Sequence, residues 1–271
     1  MGGVLAAVAA KGMAAKAAEG PFDGTVLVAD LDAAKTSHLA ESFGCKVSST
    51  DEIAKTCDFI VLGVKPQVVA AVCAQIKDIL AERMKAAEKG EDHFCLVSMA
   101  AGVPIASYKE WLGNIPFIRI MPNTPCATGA GVILYTPGEL ATAEDEADFV
   151  ELMRPAGIIN RMEESKIDAG CAVTGCGPAF VYMFIDAFID GAVRAGLPRE
   201  QAKRFAIQTV LGSAMMCAQN GAAEPAKLKS DVCSPAGSTI EGVAVLEEYS
   251  FRSAVMEAVK AAYERTVELG K

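Results

Sequence analysis

The chain has 271 residues, 52% of them hydrophobic, and a formal net charge of −9. That length accommodates two domains of ordinary size, each with its own core. The charge and the lack of any basic cluster argue against a nucleic-acid partner or an anionic membrane surface, and the most apolar stretch, 179–193, is interrupted by Asp186 and Asp190 and is too short to cross a bilayer.

Residues 1–12, MGGVLAAVAAKG, read as a helix with Gly2 and Gly3 in its first turn. Such a helix belongs after a glycine-rich phosphate loop, so Met1 and Gly2 are candidate contacts for a dinucleotide's phosphates. No strand and no G-x-G precede it, and the natural product is expected to extend roughly 8–14 residues upstream to supply both. No secretory signal is seen in 1–18.

Short apolar runs then alternate with helical patterns. GTVLVAD (24–30), DFIVLGV (58–64), HFCLVSMA (93–100) and PFIRIMP (116–122) read as strands, and GAGVILYTPG (129–138) as one more near the sheet edge. Between them, LDAAKTSHLAESFG and QVVAAVCAQIKDILAERMKAAEKG read as helices ending at Gly44 and Gly90. This alternation, with near-continuous apolar strands, predicts a doubly wound parallel sheet.

Such sheets bind ligands beyond the carboxyl ends of their strands. Those ends carry Asp30, then Gly63-Val64-Lys65-Pro66, then Met99-Ala100-Ala101-Gly102, then Met121-Pro122-Asn123-Thr124-Pro125. Small residues and prolines at several ends in succession favour a ligand lying close to backbone. Asp30 stands where an acidic residue hydrogen-bonds the adenosine ribose of NAD. Lys35, one helical turn on, reads as a solvated surface lysine, with a reach toward Asp30 as the alternative.

From about residue 166 the strand signals stop. Gly177-Pro178 opens a helix and Gly196-Leu197-Pro198 closes it; further helices are predicted over 198–221, 239–248 and 251–269. The first is apolar nearly all round, with Phe or Tyr at 180, 182, 184 and 188, as expected of a helix covered on several sides, one of them by a partner subunit. Asp186, Asp190 and Arg194 form an i, i+4 row that reads as a salt-bridged or solvated face; a catalytic carboxylate pair is the alternative.

The two histidines, His38 and His93, both lie in the first half. That excludes a Ser-His-Asp hydrolase or a His-ligated metal site in the second half, so chemistry there falls to a cofactor, the substrate, hydroxyls or backbone. The nine cysteines show neither C-x-x-C nor zinc-ligand spacing. They read as small buried hydrophobes in a reducing, cytoplasmic compartment, with no metal.

The stretch SPAGSTIEG (234–242) is the most informative. Ser238 and Glu241 have capping-box spacing, which predicts a helix from Thr239 with Ser238 as its cap. Pro235-Ala236-Gly237 make a nearly side-chain-free approach, and a bare helix start suits an anion.

Together VLGVKPQ (61–67), VSMAAGV (97–103), RIMPNTP (119–125), TGCGPAF (174–180) and LKSDVCSPAGSTIEGVAVLEE (228–248) resemble the pyrroline-5-carboxylate reductase family over essentially the whole chain. The resemblance implies an α/β Rossmann-like domain, 1–160, followed by an all-α substrate-binding and dimerisation domain, 161–271. It also implies intertwined homodimers, in many members joined into rings. The implied reaction is hydride transfer from NADPH or NADH to the C=N bond of 1-pyrroline-5-carboxylate, giving L-proline.

By resemblance, Gly237-Ser238-Thr239 hold the substrate carboxylate through backbone N–H groups and Thr239 lies beside the ring nitrogen as the catalytic position. Cys176, also beside the substrate, replaces the family's usual serine. Ala236-Gly237 stand where two glycines are common. Thr50, by the cofactor ribose, replaces a common asparagine. The strand ends supply the remaining cofactor contacts: Gly63, Val64, Lys65, Pro66, Met99, Ala100, Ala101 and Asn123. With Asp30 present, NADH is expected to serve at least as well as NADPH. The competing readings are a related NAD(P)-dependent dehydrogenase of another small imino or hydroxy acid, and a non-catalytic dimeric remnant.

Overall fold

The computed structural model describes residues 1–20, 24–219 and 224–269. Two compact units are present: Met1–Gly175, joined by the chain from Ala262 onward, and Cys176–Ala261. The division falls after the expected boundary at 160. The helix Glu164–Thr174 (α7) packs on the sheet, with Ile167 and Cys171 buried against Met121 and Leu134.

The first unit holds a five-stranded sheet in the order β3-β4-β5-β6-β7: Phe59–Leu62, Cys95–Ser98, Phe117–Pro122, Gly131–Pro137 and Gly157–Arg161. The first three run parallel; β6 is antiparallel to β5, and β7 is parallel to β6. The sheet is thus mixed, and its edge is β7, a strand the hydrophobic pattern did not reveal because it alternates polar and exposed positions.

A second, two-stranded parallel ladder pairs β1 (Leu27–Val28) with β2 (Lys46–Val47). The run 24–30 therefore yields only two ladder residues. Among the described residues β1 pairs only with β2, and β3 only with β4, so the expected single sheet is divided here.

Side-chain alternation explains the layering. Cys95 and Val97 point to one face with Ile118 and Ile120, under α1 (Gly2–Glu19) and α6 (Ala143–Met153), which contribute Leu5, Val8, Phe149 and Met153. Leu96 and Phe117 point to the other face. There α4 (Pro66–Ala87) and α5 (Ile105–Leu112) bury Val69, Cys73, Ile76, Leu80, Tyr108 and Leu112. Covered on both faces, β4 and β5 are buried at every position.

Helix α2 (Ala33–Phe43) ends at Gly44 as predicted, in a left-handed cap at φ 69°. The short helix α3 (Thr50–Thr56) starts from a Ser49 cap.

The second unit is helical: α8 (Gly177–Arg194), α9 (Arg199–Gln219), α10 (Pro225–Asp231), α11 (Ser238–Glu248) and α12 (Phe251–Leu269), whose last turns belong to the first unit. Helices α8 and α9 pair across Gly196 (φ 102°), burying Ile189, Ala202 and Ala206. Tyr182, Met183, Phe184, Phe188, Leu211 and Met256 remain exposed.

By length and composition alone, Glu164–Arg194 would suffice to cross a membrane, contrary to the sequence expectation. The extra length arises because α7 and α8 follow one another with only Gly175 and Cys176 between them.

Candidate functional site

The candidate dinucleotide site is built on the carboxyl ends of β3, β4 and β5. Helix α1 starts at Gly2 without a side-chain cap, and its first regular backbone bond runs from Leu5 N to Met1 O. The N–H groups of Gly2, Gly3 and Val4 thus lack helical acceptors, and no acidic residue sits in that turn. This is an anion cradle, suited to a pyrophosphate.

Its place is fixed by two glycines. A Cβ on Gly2 would lie 3.2 Å from Gly63 O, and one on Gly63 would lie 2.9 Å from Gly2 Cα and 3.3 Å from Met99 Cε. The structure therefore brings Met1, Gly2, Gly63 and Met99 together. A side chain at Gly63 would push the helix start off the strand end, and one at Gly2 would need the strand end to give by a few tenths of an ångström.

After β3, Val64 packs against the α4 core, Lys65 occupies the N-cap and Pro66 the first helical position, which needs no N–H donor. After β4, Met99-Ala100-Ala101-Gly102 form a tight loop: Gly102 sits at φ 74° and Val103 N donates to Ala100 O at 3.3 Å. The buried Ser98 hydroxyl meets the Tyr108 hydroxyl at 2.5 Å and accepts from Ala100 N at 3.4 Å. Burial pushes the Tyr108 phenol up to about 12, partly offset by its bond to Ser98, so it stays protonated.

Asp30 and Thr50 follow the carboxyl ends of β1 and β2. Asp30 Oδ1 accepts Asp32 N at 2.9 Å, and Lys35 Nζ lies 3.8 Å from it and 3.5 Å from Asp32 Oδ2. Lys35 is therefore not simply solvated; it bridges the two carboxylates. Thr50 opens α3.

Asn123 directly follows β5. Its Nδ2 donates to Thr174 O at 3.0 Å and its Oδ1 accepts Val132 N at 2.9 Å, with Cys126 Sγ at 3.5 Å. The buried amide is used at both ends to tie β5, β6 and α7.

In the second unit α11 begins at Ser238, one residue earlier than predicted. Gly237 is the N-cap, extended at φ −81°, ψ 164°, and no side chain caps the helix. Ser238 thus lies inside the first turn, and the Ser238–Glu241 capping box does not form.

The approach explains this. Ala236 is left-handed (φ 53°) and Gly237 N donates to Ser234 O at 3.1 Å. A Cβ on Gly237 would collide with Ser234 Oγ. The result is a helix mouth whose N–H groups at Ser238, Thr239 and Ile240 lack helical acceptors, with Ser238 and Thr239 exposed. Cys176 is half-buried at the N-cap of α8. Asp190 pairs with Arg199 at 2.6 Å on the exposed surface, the salt-bridged reading of that row.

Sequence reasoning missed an ion cluster: the buried Arg119 of β5 with the half-buried Glu164 and Asp168 of α7, each at 3.1 Å. Its signal was present, a single charge inside the apolar run PFIRIMP.

Comparison with known proteins agrees with this architecture. A family model for pyrroline-5-carboxylate reductase dimerisation matches residues 164–269, and one for NADP oxidoreductase, coenzyme F420-dependent, matches 2–84.

Pyrroline-5-carboxylate reductase of Glycine max is 43% identical over 84% of this chain and 80% of its own length; that of Escherichia coli K12 is 40% identical over 88% and 85%. Among solved structures, Plasmodium falciparum pyrroline carboxylate reductase with NADP bound superposes with a TM-score of 0.81 at 30% identity, covering 100% of this chain and 96% of that one. The Coxiella burnetii pyrroline-5-carboxylate reductase superposes with 0.85 at 29%, covering 99% and 96%. With its glycine-fitted α1 start, its bare α11 mouth and relatives of this identity along most of its length, the chain belongs to the pyrroline-5-carboxylate reductase family.

Proposed function

We propose that the protein reduces 1-pyrroline-5-carboxylate to L-proline at the expense of NADH or NADPH, the last step of proline synthesis. The observation that carries this reading is the uncapped helix mouth Gly237-Ser238-Thr239, within the segment matched by the family's dimerisation model. A carboxylate there gains hydrogen bonds from otherwise unpaired N–H groups and about 0.3–2 kcal/mol from the helix dipole.

The fit for a dinucleotide rests on the α1 cradle, where Gly2 and Gly63 leave room for backbone alone. When bound, the reduced nicotinamide supplies a hydride to the imine carbon. This chain's groups orient and shield. Gly2 and Gly3 offer N–H groups to the pyrophosphate, while Gly63, Val64, Lys65, Pro66, Met99, Ala100 and Ala101 line the cofactor. Asp30 and Thr50 face the ribose.

The Thr239 hydroxyl sits beside the ring nitrogen and Cys176 alongside the substrate. A protonated imine already carries the proton that the product amine keeps, and its C=N electron pair moves onto nitrogen as the carbon takes the hydride. No histidine is required, and the second half of the chain has none.

The division of labour follows the expected domains, with cofactor held by 1–160 and substrate recognition and association by 161–271. The protein works as a homodimer or ring of dimers in the cytoplasm. The test is imine-dependent oxidation of NADH and NADPH by the purified protein, together with fluorescence titration of both cofactors. Oxidation with proline as product supports the reading; failure to bind either cofactor would favour the non-catalytic remnant.

A further inference from the structure

We infer that Arg119, Glu164 and Asp168 are positioning residues that hold the cofactor loop Met99–Pro104 in register, an inference that rests on that loop's place in the proposed dinucleotide site. Arg119 lies in the middle of β5, on the sheet face shared by Phe117 and Met121, and its side chain is 4% exposed. Its Nη1 donates to Glu164 Oε1 and its Nη2 to Asp168 Oδ1, both at 3.1 Å. The two carboxylates stand four residues apart at the start of α7, so one guanidinium grips one helical face. Among the described residues Arg119 Nε has no acceptor.

The same Glu164 Oε1 accepts the backbone N–H of Ile105 at 2.8 Å. Ile105 is the residue at which the loop ends and α5 begins. The loop's other end is held at Ser98, whose hydroxyl accepts Ala100 N and meets the Tyr108 hydroxyl. Both ends of a short loop with one left-handed glycine are thus pinned, one by the buried Ser98 and the other by the half-buried Glu164, and its backbone has little room to drift. Helix α7 is itself tied at its far end, where Asn123 Nδ2 donates to Thr174 O.

Stability alone does not account for this arrangement. A buried ion cluster is often matched or bettered by apolar side chains of similar volume. An apolar residue at 164 cannot, however, place an oxygen under the Ile105 N–H. The cluster links β5, α7 and the loop after β4 through a single carboxylate oxygen, which is what positioning requires and packing does not.

The test compares Glu164→Ala with Glu164→Gln. Glu164→Ala should raise the Kd and KM for the reduced dinucleotide about tenfold, the loss of one hydrogen bond to a charged acceptor. It should leave the KM for the imine within about threefold. Glu164→Gln keeps an oxygen for Ile105 N–H and should recover most of the cofactor affinity, although it melts lower than the parent.

Should Glu164→Ala fail to fold, Ile105→Pro can be set against Ile105→Ala: both lose the side chain packed on the α5 core, but only the proline loses the N–H donor, at a position where a helix accepts it, and only the proline should reproduce the cofactor defect. A parental Kd in a folded Glu164→Ala or Ile105→Pro protein overturns the inference while leaving the proposed function intact. So does a cofactor defect in Glu164→Gln as large as in Glu164→Ala. A parent that binds no dinucleotide overturns the proposed site and this inference with it.

Discussion

Replacing Thr239 by valine preserves shape and removes the hydroxyl at the exposed start of α11. Because no side chain caps that helix, the substitution touches no structural hydrogen bond in the cap. We expect kcat/KM for the imine to fall about 10- to 1000-fold with little change in melting temperature. Steady-state kinetics beside a thermal melt measures both, and unchanged turnover would remove the hydroxyl from the mechanism.

The proposed role of Asp30 in cofactor preference rests on different grounds. A 2′-phosphate about 4 Å from its carboxylate would be repelled by roughly 1–4 kcal/mol, depending on the local dielectric. Lys35 at 3.8 Å offsets part of this, but it also serves Asp32, and both partners are solvated. NADH should therefore serve at least as well as NADPH, and Asp30→Ser should move the ratio of kcat/KM values toward NADPH. A tenfold NADPH preference in the parent would refute the role of Asp30.

At the scale of elements, Arg83 joins three of them. From α4 it donates to both carboxylate oxygens of Asp92, to Ala54 O and Cys57 O at the end of α3, and to His93 O before β4, while lying 4.8 Å over the Phe94 ring. Arg83→Ala takes the guanidinium from the carbonyls of Ala54, Cys57 and His93 and leaves Asp92 with the His93 N–H, which should cost about 3 kcal/mol, read as a lower urea midpoint.

The Arg83 hydrogen bond is the main reason the Asp92 carboxyl is held below the usual carboxylate range. A lowered folded pKa contributes stability that is present above the unfolded value and lost as pH falls through the folded one. The gap between parent and variant should therefore narrow on acidification below about pH 4.

Elements like these also show what a sequence reader can and cannot see. The apolar runs of β3, β4 and β5 and the helix end at Gly44 were legible because period, length and a left-handed glycine all point the same way. Strand β7 was not, since Ile158 and Asn160 face outward on a sheet edge and dilute the pattern. The α11 cap was misread because Ser-x-x-Glu spacing is local, whereas Gly237 is held as the cap by its contact with Ser234. The glycines of the cofactor cradle were found one by one, yet only coordinates show that Gly2 and Gly63 need each other. Arg119 stands out as a lone charge in an apolar run, but its two carboxylates lie 45 and 49 residues away in sequence.

For the molecule as a whole, the second unit has a thin core. Among the described residues its buried cluster is Ile189, Ala202 and Ala206, while Tyr182, Met183, Phe188 and Met256 stay exposed. An apolar surface of this kind, on a chain matched by a dimerisation model, is what an association face requires. Met183→Glu should place a charge there and shift the protein toward monomers in sedimentation equilibrium, with a lower melting temperature that no longer rises with protein concentration. A dimer as tight as the parent's would exclude Met183 from the face.

That thin core also bears on kinetics. If one copy completes the apolar interior of another, subunits cannot trade partners without first undoing part of their own helical packing. Exchange between differently tagged oligomers should then run at the pace of unfolding, hours or slower under native conditions and fast in sub-denaturing urea. Chains synthesised together would be committed early. An inactive Thr239→Val chain expressed alongside the parent would be captured in mixed assemblies, whereas the same chain added afterwards would leave the parent's activity untouched.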